Sequence, residues 1–477
     1  DIQSDATPPL SALSIGSPRY ASPGGTLFVG PAAPFTLASQ DPVTQGVASG
    51  VKVISARLDQ GPYSFYSTTF TLTPGDGLRT VGWFAADNVG NAETPQVSTA
   101  ALDETSPLTT LLVSGGRQFA GPDAATFYAS SDMRLILIAT DPAVNGVASG
   151  VAFTRWQDNG GAFETYLSSL TLAEGAHKLG YQSADNVTNL EVLRSTTVLV
   201  DATAPVTTAA IGSPRFTALD ATIYVTPSAP IAFSAADPLL PTGQAGSGLH
   251  HIETSLDGAP FAPFGAALYL PEGRHVILFR AVDNVGNVEA EQSLAIQSDA
   301  TPPLTQLLIS APSVAAASST VVGPGTALSL SAQDPLSSGV ASQVSDTFVS
   351  VSTGAFAPAP ADFALSGEDG PRVISFYSRD NVLNEEPVKR ATVLLDATPP
   401  ASTVMIGAPL FIAADAVRYV TPATPVALTA ADPVVNGVAS GLDRVEVSVD
   451  GAPFAAYVST LTFAEGAHTL LYRALDR

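Results

Sequence analysis

The chain repeats itself, and that limits its fold more than any other feature. DATPP at Asp5 returns as DETSP at Asp103, DATAP at Asp201, and DATPP at Asp299 and Asp396, in steps of 98, 98, 98 and 97 residues. DNVGN at Asp87 returns as DNVTN at Asp185, DNVGN at Asp283 and DNVLN at Asp380, in steps of 98, 98 and 97. An Asp-Pro pair opening a Gly/Ser-rich loop recurs at Asp41, Asp141, Asp237, Asp334 and Asp432. Three landmarks on one period define a tandem array of small domains. The expected divisions are 1–4 (tail of a preceding repeat), 5–102, 103–200, 201–298, 299–395 and 396–477, the last without its final strand. Residues 2–10 repeat 296–304 letter for letter, and 472–476 match 279–283, so both ends are expected to cut through a unit.

Each unit reads as strands. Gly and Pro number 39 and 38, yet 45% of residues are hydrophobic, enough to fill cores that a disordered chain would lack. No long Leu/Glu/Lys segment with helical period occurs. In the third unit, strands are expected at 207–211, 222–225, 231–235, 250–256, 268–270, 275–282 and 288–296, with a turn at Asp257-Gly258. Seven strands in about 98 residues, joined by polar turns, predict an Ig-like β-sandwich. The fold class expected is all-β, a tandem array of Ig-like β-sandwich domains in an extended rod. Short Pro-rich linkers favour that extension, and five sandwiches would span on the order of 180 Å.

The run Gly441-Leu442, Ser448-Val449-Asp450-Gly451-Ala452-Pro453-Phe454, Tyr457, Leu461-Thr462, Glu465-Gly466-Ala467-His468 and Tyr472 to Asp476 resembles a bacterial Ig-like repeat family. That family occurs in leptospiral outer-membrane adhesins and large secreted bacterial proteins. Units two and three carry the same run, with Ser149-Gly150-Val151, Glu174-Gly175-Ala176-His177 and the segment Asp283 to Glu289. Unit four departs from it, with Ser352-Thr353-Gly354 at the Asp-Gly turn and Gln343 in place of a Gly. The resemblance implies an extracellular, multi-domain architecture and no particular reaction.

Composition removes several function classes. No Cys is present, which excludes a disulfide framework, a thiolate metal site and a Cys nucleophile. A formal charge of −23 argues against binding nucleic acid or anionic lipid, and fits either a self-repelling surface or a binder of divalent cations. The longest apolar runs are strand-sized, far short of the ~20 residues of a membrane helix. Of the five His, His177, His275 and His468 recur at equivalent turns and His250 and His251 are adjacent. No H-E-x-x-H, G-x-S-x-G or Walker-type run appears, so the chain is read as no enzyme.

The recurring acids carry the site reading. In an Ig-like sandwich the entry linker, the loop after the second strand and the loop before the last strand meet at one pole. Unit one places Asp5, Asp41, Asp87, Asn88, Asn91 and Glu93 there. Unit two places Asp103, Asp141, Asp185, Asn186, Asn189 and Glu191; unit three Asp201, Asp237, Asp283, Asn284, Asn287 and Glu289; unit four Asp299, Asp334, Asp380, Asn381, Asn384 and Glu386. Converging carboxylates repel unless a cation sits among them, and an all-oxygen set selects a hard ion such as calcium. Glu174, Glu272 or Glu465 of the preceding unit are candidates to join a junction site. The competing reading is turn chemistry, in which the same Asp and Asn side chains accept backbone N–H bonds. Asn186-Val187-Thr188 also matches a glycosylation sequon.

The expectation is a non-enzymatic structural repeat protein of an extracellular or bacterial cell surface, forming a stalk, fibre or filament stiffened by calcium. Neighbouring copies of itself and a surface or matrix ligand are the expected partners. The rivals are an adhesin or carbohydrate-binding module, and a spacer in a large secreted hydrolase. Only Trp83 and Trp156 are present as sugar platforms, and strand placement makes Trp83 a core residue.

Overall fold

A computed structural model of the chain describes residues 1–316 and 318–477, and among these every regular element is a strand. The first repeat contains β1 (Leu10–Ile15), β2 (Arg19–Ala21), β3 (Leu27–Val29), β4 (Phe35–Gln40), β5 (Val51–Leu58), β6 (Ser64–Phe65), β7 (Gly77–Asp87) and β8 (Gln96–Leu102). They form two layers. One pairs β1 with β4 antiparallel, extended by a bridge from Phe35 to Phe70. The other has the order β2-β3-β8-β7-β5-β6, with β3 and β8 parallel and the remaining pairs antiparallel.

Alternation decides which face is buried. Along β4, Phe35 and Leu37 are buried while Thr36 and Ala38 are exposed, and along β7 Val81 and Trp83 are buried. These side chains join Ile15, Val29, Leu72 and Leu102 between the layers. Each large apolar side chain buried this way contributes about 1.5–3 kcal/mol. Trp83 is therefore a core residue rather than an exposed platform.

The chain forms two compact units: Asp1–Thr208 with Ser234–Glu253 and Phe279–Glu291, and Ala209–Phe233 with Thr254–Leu278 and Gln292–Arg477. In the first unit, the second repeat reproduces the two-layer plan, with Leu108–Ser114 paired to Arg134–Thr140 and a six-stranded sheet opposite. In the second unit, the fourth repeat does the same, with Leu304–Ile309 paired to Leu328–Gln333. In the fifth repeat, among the described residues, the larger sheet is in two pieces, Leu410–Ile412 with Arg418–Val420, and Ala455–Ala456 with Leu442–Val449 and Leu470–Asp476.

Some strand boundaries differ from the sequence reading. Arg215–Thr217 is an additional strand hairpinned to Ile223–Val225, which then runs parallel to the closing strand. That strand is Gln292–Ser298, later than expected. Leu268 makes a single bridge to Ile231 instead of starting a strand, and the two-residue strand falls at Ala262–Pro263. Short, Pro-containing segments carry too little period-2 signal to place such edges.

Candidate metal centre

Strand pairing builds the pole. Leu10 faces Gln40 across β1 and β4, so Asp41 emerges beside the entry linker that carries Asp5. Val51 faces Asp87 across β5 and β7, which brings Asp87 against the Ser49-Gly50 loop. A bulge between Val51 and Val53 recurs between Val151 and Phe153, Val344 and Asp346, and Leu442 and Arg444. It turns the preceding loop inward, with Gly50 at φ 82°.

The result is a carboxylate triad in every repeat. The groups are Asp5, Asp41, Asp87; Asp103, Asp141, Asp185; Asp201, Asp237, Asp283; Asp299, Asp334, Asp380; and Asp396, Asp432, Asp476. In each, one oxygen per residue lies within 4.8 Å of the others. The fifth triad lies outside the site residues expected from the sequence, although Asp476 aligns with Asp283. Among the described residues, no Lys, Arg or His forms an ion pair with any triad carboxylate.

The second repeat shows how the side chains are held. Asp103 Oδ2 accepts the N–H of Ser149 at 2.7 Å and its Oδ1 that of Thr105 at 3.3 Å. Asp141 Oδ2 accepts the Gly150 N–H at 2.7 Å. Asp185 Oδ1 accepts the N–H groups of Val187 and Asn189, and its Oδ2 accepts Asn189 Nδ2 at 2.6 Å. The same bonds recur around Asp5, Asp41 and Asp87 and around their later counterparts.

Two groups of atoms escape this pattern. Oδ1 of Asp41, Asp141, Asp237, Asp334 and Asp432 is buried without a hydrogen-bond partner. So is Oγ of Ser149, Ser247, Ser342 and Ser440, each side chain at least nine-tenths buried. Those serines precede the loop glycine or Gln343 in every case, a recurrence visible in the sequence. Burial pushes the Asp237 carboxyl up to about 6, the charges of Asp201 and Asp283 add to this, and the Gly248 N–H opposes it. Asp334 is likewise pushed up to about 6 by burial and by Asp299 and Asp380, against the N–H groups of Gln343 and Ser342. Asp141 rises through burial, with Asp103, Asp185 and Asp76 adding to it and the Gly150 N–H opposing.

The amides and glutamates named from the sequence are placed differently. Asn186 Nδ2 donates to the carbonyls of Ser149 and Gly150, and Asn189 Nδ2 to that of Asp103, so these amides pin the loop and linker. Asn88, Asn91, Asn284, Asn287, Asn381 and Asn384 do the same in their repeats. Glu93, Glu191, Glu289 and Glu386 lie outside the triads. Each reaches the residue after the start of its repeat's first strand: Glu191 accepts from Thr109 N at 2.9 Å, from Thr109 Oγ1 and from Ser183 N. Glu93 takes Ser11 and Ala85, Glu289 takes Thr207 and Ala281, and Glu386 takes Thr305 and Ser378.

Just beyond each linker aspartate lies a second recurring contact. The acid before a tight-turn glycine of one repeat accepts from the linker of the next. Asp76 takes Glu104 N at 2.5 Å and Thr105 Oγ1; Glu174 takes Thr203 Oγ1 at 2.5 Å; Glu272 takes Thr301 Oγ1 at 2.7 Å; Asp369 takes Ala397 N at 2.6 Å. Glu174 and Glu272 are the junction candidates of the sequence; Asp76 and Asp369 escape that reading because Gly75 and Gly367 disguise the turn. Next to these, Asn145 Nδ2 donates to Asp76 O and Asn436 Nδ2 to Asp369 O.

No family model and no curated sequence matches the chain. Among solved structures, the fibronectin(III)-like modules of Clostridium thermocellum CbhA align at 14% identity over 40% of this chain and 94% of theirs, with a TM-score of 0.22. Protocadherin gammaB7 EC3-6 aligns at 12% over 72% of this chain and 93% of its own, with a TM-score of 0.24. The eight N-terminal Ig domains of Down Syndrome Cell Adhesion Molecule align at 13% over 98% of this chain and 66% of theirs, with a TM-score of 0.18. TM-scores of this size do not establish a common fold, and the sandwich assignment stands on strand order and layer packing. No helix among the described residues is long and apolar enough to cross a membrane.

Proposed function

We propose that this chain is a non-enzymatic structural protein of an extracellular or cell-surface setting, a stalk or fibre segment made of tandem sandwiches. The recurring linker clamp carries this reading. Asp76, Glu174, Glu272 and Asp369 each grip the following linker, so four junctions are built from one chemistry. A protein whose job is to transmit geometry along its length needs this uniformity, while an isolated binding module does not. The resemblance of Gly441 to Asp476 to bacterial Ig-like repeats supports a bacterial surface.

The histidines support the absence of catalysis. His177, His275 and His468 each place Nδ1 at 2.8 Å from an aspartate, Asp158, Asp257 or Asp450. In each, Nε2 is taken by a main-chain carbonyl, of Ala173, Pro271 or Ala464, where a hydrolase would present a nucleophile. These pairs tie one turn to another.

Small-angle scattering of the full chain tests the stalk. A compact body of 477 residues would have a radius of gyration near about 23 Å. A stalk should give a maximum dimension on the order of 180 Å. A radius near the compact value would reject it.

A further inference from the structure

We propose that each repeat binds one calcium ion at its aspartate triad, with the unpartnered serine hydroxyl of the same pole as an additional ligand. The third repeat illustrates the argument. Asp201, Asp237 and Asp283 bring three carboxylate oxygens within 4.8 Å of one another. Their hydrogen bonds come from neutral N–H groups, those of Ser247, Gly248 and Asn287 among them. These dipoles orient the carboxylates and leave lone pairs over on every one.

The second observation is independent of the acids. Ser247 Oγ is buried, its residue 4% exposed, and it has no partner. A hydroxyl rotates freely and normally finds an acceptor or donor, so an orphan is unusual in a folded protein. Here the orphan recurs at the equivalent position of all five repeats, as does the orphaned Oδ1 of Asp237 and its counterparts. Random packing faults would not keep a 98-residue period.

The donor set decides which ion. Every donor is oxygen, and no His or Cys is among them, which favours a hard cation over zinc or copper. Calcium takes 6–8 oxygens in adaptable geometry, so carboxylates, a hydroxyl, main-chain carbonyls and water together can satisfy it. Magnesium demands a tight octahedron and keeps its own waters, which suits a buried hydroxyl poorly. Bound there, the ion would hold Asp201 two residues before Thr203, the residue gripped by Glu174. That last consequence rests on the structural reading above, whereas binding itself does not.

The test uses the full chain, stripped with chelator and titrated with calcium alone by calorimetry and equilibrium dialysis. About one ion per triad is expected, hence about five per chain. Asp237→Asn should remove one equivalent. In chelator it should melt no lower than the parent, because a repelling charge has gone while an oxygen remains for the Gly248 N–H. In calcium it should melt below the parent. Ser247→Ala should weaken one site about tenfold and leave melting in chelator unchanged. No binding at millimolar free calcium, or titrations of both variants that superimpose on the parent, would overturn the site. Equal binding of magnesium would overturn the choice of ion. A compact scattering profile with full calcium stoichiometry would reject the stalk and leave this site standing.

Discussion

Two buried acid sites recur in the repeats, and they differ in how fully the chain satisfies their oxygens. Glu191 is a single charge with a complete set of donors: Thr109 N and Oγ1, Ser183 N, and Arg194 Nε at 2.7 Å. Glu386 has Lys389 at 2.8 Å, and Glu93 has Gln96 Nε2 at 3.2 Å. Each triad, less than one repeat away in sequence, gathers three carboxylates that pair with no Lys, Arg or His among the described residues, and leaves oxygens unsatisfied. Buried polar groups of a purely structural kind are satisfied by the protein itself. The glutamate meets that standard, whereas the triad leaves Oδ1 of its second aspartate without a partner.

The largest effect should come from breaking the satisfied site. Glu191→Ala orphans the N–H groups of Thr109 and Ser183 and frees Arg194, a loss of about 3–5 kcal/mol to the second repeat. Urea unfolding followed with and without calcium measures this. The loss should be the same in both conditions, because the glutamate is outside the triad. A loss under about 1 kcal/mol, or one that calcium restores, would erase the distinction between the two sites.

The convergence of the first four triads is legible in the sequence, because each aspartate sits in a motif with its own turn signal and the period aligns them. The two-layer sandwich is legible for the same reason, through the alternation in segments such as Phe35–Gln40. The glutamate's role was not legible. Glu93 follows Asp87 by six residues, and only the fold shows that the chain reverses at Val89 and Gly90 and carries Glu93 back to Ser11. Asp76 and Asp369 were hidden by non-matching turns, and no local pattern marks an unpartnered hydroxyl. What sequence supplies is recurrence; whether a recurring polar atom is satisfied depends on contacts made about 40 or more residues away, as between Asp103 and Ser149.

A smaller change sharpens the triad side of the comparison. Gln343 occupies the loop position held by Gly50, Gly150, Gly248 and Gly441, and it keeps their left-handed backbone, at φ 71°. Its N–H still reaches Asp334 Oδ2 at 2.7 Å, so the triad requires this conformation strongly enough to impose it on a side chain that disfavours it. Left-handed geometry costs a non-glycine residue about 1–2 kcal/mol, offset in part by the greater freedom of an unfolded glycine. Gln343→Gly should therefore stabilise the fourth repeat by up to about 1 kcal/mol in thermal unfolding. Destabilisation would mean that the glutamine side chain, and not the N–H at this position, matters to the loop.

The smallest expected effect concerns a third class of acid, paired with a charge that pH can remove. Asp450 accepts His468 Nδ1 at 2.8 Å, and His468 Nε2 faces the Ala464 carbonyl at 3.0 Å, so both ring nitrogens face acceptors and only the imidazolium can donate to both. The first repeat uses Arg79 at this place, bonded to Asp59 and to the carbonyl of Gly75, a cation that never titrates. The Asp450 bond, then the Ala464 carbonyl, raise the His468 pKa above its ordinary value, and the His468 bond with the Thr469 N–H lowers that of Asp450. A raised histidine stabilises fully below its unfolded pKa, and that stabilisation disappears as pH rises through the folded value. A lowered aspartate gives its share above its unfolded pKa and loses it as pH falls through the folded one. The pair therefore contributes most between about pH 4 and 6.5. Histidine-labelled NMR titration of the full chain should place His468 above about 6.5, and Asp450→Asn should bring it down. His468→Arg should flatten that part of the melting profile between pH 5.5 and 8 while leaving calcium stoichiometry untouched. A ring that titrates at or below its ordinary value would show that the aspartate is solvated rather than paired.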